Sequence, residues 1–135
     1  MRINTENAPA ALGPYSQAIK KDNLCFVSMQ LGLNPSTGEI VSREAKEQTR
    51  QAIKNVEAIL KKCELSLKDV VKATLYITDL NDFAAVNEVY AEYFANKPAR
   101  SLVVQAAMPK DAKVALDVIA TRGDDLTDEL DYRER

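Results

Sequence analysis

Residues 43–77, REAKEQTRQAIKNVEAILKKCELSLKDVVKATLYI, contain a change of hydrophobic period that decides the fold class. Up to Cys63 the apolar and small residues recur at steps of three and four, the period of an amphipathic helix, whereas residues 70–77 are β-branched and partly alternating, as in a strand. Ser42 stands just before the helical pattern, where an N-cap is expected. We therefore predict a helix over 43–63 and a strand over 70–77. The helical stripe consists of Ala45, Thr49, Ala52, Ile53, Val56, Ile59, Leu60 and Cys63.

Downstream of this pair, helix and strand patterns continue to alternate. A second helix is predicted to begin at Asn81 or Asp82, and Pro98 is expected to end it. Two apolar runs, at 102–104 and 114–120, predict the last two strands. The stripe of the second helix consists of Phe83, Val86, Tyr90, Tyr93 and Phe94.

Upstream of the first helix, turn-forming residues separate three short strand candidates at 15–19, 24–31 and 39–41. The order ββ(β)αβαββ predicts one α+β domain over 1–122, with two helices on one face of a mixed sheet of five or six strands. The strands hold more apolar residues than one helix-covered face would bury, so we expect the other face to be buried in a homo-oligomer. These residues are Val27, Met29, Val71, Val103, Leu116 and Val118.

The composition excludes several classes of chemistry. The chain has 135 residues and no histidine, which removes histidine-based nucleophilic catalysis and the commonest zinc ligand. Its two cysteines, Cys25 and Cys63, match neither a redox nor a zinc spacing and are expected to be buried free thiols. Only four glycines occur, and none belongs to a phosphate-binding loop.

The charge is unevenly divided along the chain. The formal net charge is -2, but residues 123–135 hold six acidic and two basic side chains, which leaves 16 basic and 14 acidic side chains in residues 1–122. We therefore expect an acidic C-terminal tail over 123–135. Because the body carries no large positive field, nucleic-acid and membrane partners are not expected. The absence of a signal-like or membrane-spanning apolar run predicts a cytoplasmic protein.

Four polar residues are candidates for a functional site. Arg100 follows a proline by two residues, and its planar guanidinium suits a carboxylate or phosphate, with a structural ion pair as the alternative. Asp117 interrupts an apolar strand, so it is a hydrogen-bonded or proton-transfer group unless it reaches solvent at an edge. For Tyr15, after a Gly-Pro turn, and Asn87, on the second helix, an ordinary surface side chain is the alternative.

Five short motifs are spread over about residues 5 to 121. They are APAALGPYSQ at 8–17, NPSTGE at 34–39, DLNDFAAVN at 79–87, PARS at 98–101 and PKD at 109–111. Together and in this order, they resemble the motifs of the reactive-intermediate deaminase family, also called RidA or YjgF.

The resemblance implies a chorismate-mutase-like fold, assembled as a homotrimer with clefts between subunits. It implies a hydrolysis without cofactor or metal of 2-imino and enamino acids, such as 2-aminoacrylate and 2-iminobutyrate, to 2-keto acids and ammonia, which limits damage to pyridoxal-phosphate enzymes. Arg100 matches the family's carboxylate-binding arginine, and Asp117 stands where a glutamate usually orients water. Tyr15 and Asn87 match residues that position the substrate.

Two of the departures from the family pattern bear on the alternatives for function. Where the family commonly reads Ser-Gly-Gln, this chain has Ser28-Met29-Gln30, so we expect Ser28 and Met29 to line the substrate site with a long thioether in place of a glycine. Asp117 is one methylene shorter than the usual glutamate. The main alternative is therefore a non-catalytic binder or sensor of small keto or amino acids that uses the same cleft. An endoribonuclease that inhibits translation is the second alternative.

Overall fold

The computed structural model describes residues 1–123, which form a mixed sheet of six strands and two helices. The predicted α+β class is confirmed, while residues 124–135 of the predicted acidic tail lie outside the described residues. Short 3₁₀ turns occur at Leu67–Asp69, Leu80–Asp82 and Pro109–Asp111. The strands are β1 (Arg2–Ile3), β2 (Ala18–Lys21), β3 (Leu24–Leu31), β4 (Val70–Ile77), β5 (Ala99–Val104) and β6 (Val114–Thr121), and the helices are α1 (Ala45–Lys62) and α2 (Phe83–Tyr93).

The strands are ordered β1-β2-β3-β6-β4-β5 across the sheet. The pair β4 and β5 is parallel, as a crossover through α2 requires, and the other neighbouring strands are antiparallel. Both helices pack on the same face, because their buried side chains share one core with Ala73, Leu75 and Ile77 of β4. We call the opposite side of the sheet the open face. It carries the alternate residues of β4, among them Thr74 and Tyr76.

Strand alternation corrects part of the expectation about surplus apolar residues. Three of the six, Val27, Leu116 and Val118, are buried on the helix side and belong to the main core, so they leave nothing for a partner to cover. The other three, Met29, Val71 and Val103, are exposed.

The chain before β2 is a loop rather than the predicted strand over 15–19. The side chain of Gln17, almost fully buried, holds this loop through Nε2, which donates to the carbonyls of Thr5 and Pro9, and through Oε1, which accepts from the Thr5 amide. The strand β2 therefore begins only at Ala18, and the short edge strand β1 pairs with it.

The predicted helices are confirmed with shorter ends. The first begins at Ala45, because Ser42 uses its Oγ to accept from the Glu44 amide in a turn before the helix and so is not the N-cap. The second begins at Phe83 after a 3₁₀ turn and ends at Tyr93, well before Pro98. The short strand predicted over 39–41 is reduced to a single bridge between Leu33 and Ile40.

The end of β3 lies directly against α1 at Gly32. A Cβ atom there would stand 2.5 Å from the carbonyl oxygen of Gln48 and 2.6 Å from its Cα, which is backbone that cannot move aside without shifting the helix. The contact is reinforced by Asn55, whose Nδ2 donates to the carbonyls of Leu31 and Leu33. Gly32 is therefore required by a close approach of two backbones.

We predict that Gly32→Ala lowers the free energy of unfolding by about 1–3 kcal/mol, the usual cost of overpacking, because α1 must move away from β3. Urea unfolding of the variant and the wild type measures this. Gly13→Ala is the matched control, since its new methyl would meet only the ring of the exposed Tyr15, at 3.2 Å. Equal stability of Gly32→Ala and the wild type would contradict the close approach.

Cys25 on β3 and Cys63 at the end of α1 are free, buried thiols, as predicted. Their Sγ atoms lie 2.9 Å apart, which joins the helix end to the sheet. Burial, together with the hydrogen bond to Cys63, raises the pKa of Cys25 to about 12. The nucleophilic thiolate of Cys25 is therefore absent at neutral pH.

We predict that neither thiol of the native protein reacts with Ellman's reagent at mildly alkaline pH, because both are shielded and Cys25 stays protonated. Unfolding in guanidinium should release both cysteines for reaction. Rapid labelling of the native protein, or fewer than two reactive thiols after unfolding, would contradict this description of the pair.

Candidate functional site

Arg100 lies at the edge of the sheet, on β5, and its side chain runs along the helix side. Its partner on β4 is Ala73, which is fully buried against the helices. Nη1 of Arg100 donates to Oδ1 of Asn87 on α2 at 2.6 Å. The guanidinium carbon lies 4.7 Å from the centre of the Tyr90 ring and 5.6 Å from that of Phe83. Two aromatic rings and one amide thus fix the guanidinium.

The Tyr90 ring is itself held in place. It stacks on Phe94 with ring centres 4.4 Å apart and 24° between the planes. Burial raises the pKa of the Tyr90 phenol, although the nearby Arg100 guanidinium lowers it, so the ring stays neutral. Its buried hydroxyl has no hydrogen-bond partner within residues 1–123. The face of this ring is therefore a fixed platform for the cation.

Arg100, Asn87 and Tyr90 line an open pocket of about 410 Å³. The remaining wall is mostly apolar, and one further cation, Lys97, stands on its border. A guanidinium has five N–H donors, of which Asn87 takes one, so several remain for an anion. The pocket can bind a small molecule that has a carboxylate at one end. The apolar lining residues are Ala91, Phe94, Ala95 and Pro98.

Asp117 lies on the open face, opposite a β-bulge that contains Ser28 and Met29. The register of β3 against β6 pairs Val27 with Val118 and then Gln30 with Leu116, so two residues of β3 oppose the single residue Asp117. The structure therefore brings these three predicted site residues together. Ser28 is half-buried, and Met29 is exposed beside it.

Tyr76 also belongs to the group around Asp117, although the sequence did not single it out. Its hydroxyl donates to Oδ2 of Asp117 at 2.7 Å. This hydrogen bond, together with desolvation and the charge of Asp117, raises the pKa of Tyr76 to about 12, so the phenol is protonated at neutral pH. The alternation of β4 is enough to place Tyr76 on the open face. The neighbour of its hydroxyl depends on the register with β6, which the sequence does not reveal.

Tyr15 borders the bulge through the chain that follows it. The carbonyl of the next residue, Ser16, accepts from the Oγ of Ser28 at 2.6 Å, and the carbonyl of Gln17 accepts from the Ser28 amide. The Tyr15 side chain is 53% exposed and lies on the loop before β2. Its phenol is available to a ligand or to a partner surface.

The candidate residues form two groups on opposite faces of one sheet. Arg100 pairs with Ala73 and Asp117 pairs with Thr74. Since Ala73 and Thr74 are successive residues of β4, their side chains and those of their partners point in opposite directions. One protomer therefore cannot present the arginine and the aspartate to the same small molecule.

Within the described part of the chain, no group of three or more acidic or cysteine residues is placed to hold a metal ion. No helix among residues 1–123 is both long and apolar enough to cross a membrane.

Comparison with known proteins places the chain among related sequences and structures. The family model described as Endoribonuclease L-PSP matches residues 5–122. The human 2-iminobutanoate/2-iminopropanoate deaminase is 43% identical over 122 residues, which cover 90% of this chain and 89% of the human protein. The crystal structure of the E. coli YjgF gene product superposes with a TM-score of 0.87 at 43% identity, covering 91% of this chain and 99% of that one.

The structure of E. coli TdcF with bound serine is similar to the same degree, with a TM-score of 0.87 and 42% identity, covering 91% of this chain and 99% of that one. The identity and the near-complete coverage confirm the resemblance predicted from the five motifs. The chain belongs to the YjgF or RidA family, whose model is described as Endoribonuclease L-PSP.

Proposed function

We propose that this protein hydrolyses 2-imino acids and their enamino forms to 2-keto acids and ammonia. The human relative at 43% identity carries the name of that activity, with 2-iminobutanoate and 2-iminopropanoate as substrates. The serine bound to TdcF is an amino acid of similar size. The likeness of both proteins to this chain supports a small carboxylate-bearing substrate.

The observation that carries the proposal is the preorganised guanidinium of Arg100. One N–H is bonded to Asn87, and the rings of Tyr90 and Phe83 restrict the plane of the fork. A carboxylate that enters the pocket meets donors whose orientation is already fixed, so little further ordering is needed on binding. The site therefore suits a substrate whose one constant feature is a carboxylate.

For this reaction the protein needs mainly to position the substrate and a water molecule. An imine protonated on nitrogen is already electrophilic, so water adds to its carbon and gives a carbinolamine, which expels ammonia as the carbonyl forms. In this proposal Arg100 binds the carboxylate and Asp117 orients the water. Ser28 and Met29 form the wall beside the water, and Tyr15 and Asn87 help to position the substrate.

The separation of the two groups leads us to propose an assembly. A homotrimer with clefts between subunits would set Arg100 and Asn87 of one protomer against Asp117 and the bulge of the next. The open face supports this, because several apolar side chains on it remain exposed, among them Phe26 at 42% and Val103 at 38%. Large exposed apolar patches commonly mark interaction surfaces.

A cytoplasmic location belongs to the same proposal. The two free thiols, 2.9 Å apart and not joined in a disulfide, suit a reducing compartment.

We predict that Arg100→Ala raises KM roughly 10- to 100-fold, since about 1.5–3 kcal/mol of hydrogen bonding to a charged group is lost. Arg100→Lys should recover only part of this loss, because an ammonium keeps the charge but not the planar fork. The assay couples a pyridoxal-phosphate serine or threonine dehydratase to this protein and follows release of the keto acid. Arg122→Ala is the matched control, as it removes a guanidinium that contacts Asp69 at the end of β6.

A wild-type protein that does not accelerate keto-acid release would contradict the proposed function. If a keto acid nevertheless raised Tm, the protein would be the non-catalytic binder. If the wild-type protein accelerates keto-acid release and Arg100→Ala has the same KM and activity, the assigned role of the arginine is contradicted.

A further inference from the structure

The hydrogen bond between Tyr76 and Asp117 joins the neighbouring strands β4 and β6 on the open face. On β4, Tyr76 stands two residues beyond Thr74, the direct partner of Asp117, so the phenol reaches its acceptor along the diagonal between neighbouring strands. The direct partner of Tyr76 is Ala115, whose methyl group occupies little space beside the ring. The bond is therefore a cross-strand feature that depends on this register.

The Tyr76 ring is held by a small apolar cluster of its own. Met108, Ala112 and Ala115 form the buried part of this cluster, and Leu31 and Ile40 pack against it together with Tyr76. These contacts on the open face fix the position of the ring, and Leu31 among them belongs to β3, the strand that contains the bulge. Because packing holds the ring, the position of the hydroxyl is set without help from Asp117.

The hydrogen bond leaves the carboxylate with one committed oxygen and one available oxygen. Oδ2 of Asp117 accepts from the phenol, while Oδ1 has no partner within residues 1–123. The pKa of Tyr76, raised to about 12 mainly by this bond, keeps the phenol a donor at neutral pH. The carboxylate is therefore fixed in orientation, and Oδ1 is left to accept from a water molecule.

We infer that Tyr76 is a positioning residue, which orients Asp117 so that its free oxygen places the attacking water beside the bulge at Ser28 and Met29. This inference rests on the proposed imine hydrolysis. Water adds to the imine carbon, one water proton passes through the carboxylate to the nitrogen, and ammonia leaves as the hydroxyl loses the second proton to solvent and the carbonyl forms. Tyr76 keeps its proton throughout and touches neither the substrate nor the reacting atoms.

The test measures kcat and KM of Tyr76→Phe, Asp117→Asn and the double variant in the dehydratase-coupled assay. Tyr76→Phe removes one oxygen and leaves the ring packing intact. We expect it to lower kcat roughly 10-fold, the effect of losing a hydrogen bond to a charged group, with KM unchanged. Because the tyrosine acts through the aspartate, the double variant should be no slower than Asp117→Asn alone.

The matched control is Tyr93→Phe, which removes a hydroxyl near Arg50 on the helix side, away from Asp117. It should keep wild-type kcat and KM. A wild-type kcat for Tyr76→Phe would overturn the inference. It would also be overturned if the kcat losses of the two single variants multiplied in the double variant, since independent losses indicate a merely structural effect of Tyr76. If the wild-type protein does not accelerate keto-acid release, the proposed function is wrong, and the role of Tyr76 is wrong with it. If the wild-type protein is active and Tyr76→Phe has the same kcat, only the role of Tyr76 is wrong.

Discussion

The alternation of side chains along β4 is the constraint on which the proposed function depends. Ala73 faces the helices and Thr74 faces away from them, so their partners Arg100 and Asp117 are separated by the thickness of the sheet. No rotamer change can bring the two groups together, because the strand backbone fixes the direction of each Cβ. A protein that uses both residues on one small substrate must therefore supply them from two copies.

The same alternation explains which side chains lie on each face of the sheet. On the helix side, alternate residues of the central strands complete the main core, and the edge strand β5 carries Arg100 out to the rim of the pocket on α2. On the open face, the bulge in β3 and the pair Tyr76 and Asp117 form a polar group beside exposed apolar side chains such as Phe26 and Val103. In the proposed function, anion binding and water placement thus belong to different faces, and a chain without histidine would supply both.

Much of this could be predicted from the sequence, because hydrophobic period is a local property. The helices α1 and α2 and the strand β4 follow from their apolar spacing, and Arg100 and Asp117 stand out as polar residues among apolar ones. The first strand was misplaced because the long-range hydrogen bonds of Gln17, which hold the preceding loop, leave no trace in the local pattern. Tyr76 and the bulge opposite Asp117 were missed for the same reason, since both depend on strand register.

The most direct test of the shared site is to combine two impaired variants and to assay them at a substrate concentration below KM. Arg100→Ala and Asp117→Ala each remove one half of the proposed site, and if the protein is the proposed homotrimer, co-expression produces trimers that contain both. If each site combines the arginine of one subunit with the aspartate of the next, random mixing should restore up to about a quarter of the wild-type activity per chain. Activity no greater than that of the two variants prepared separately would contradict a site shared between copies.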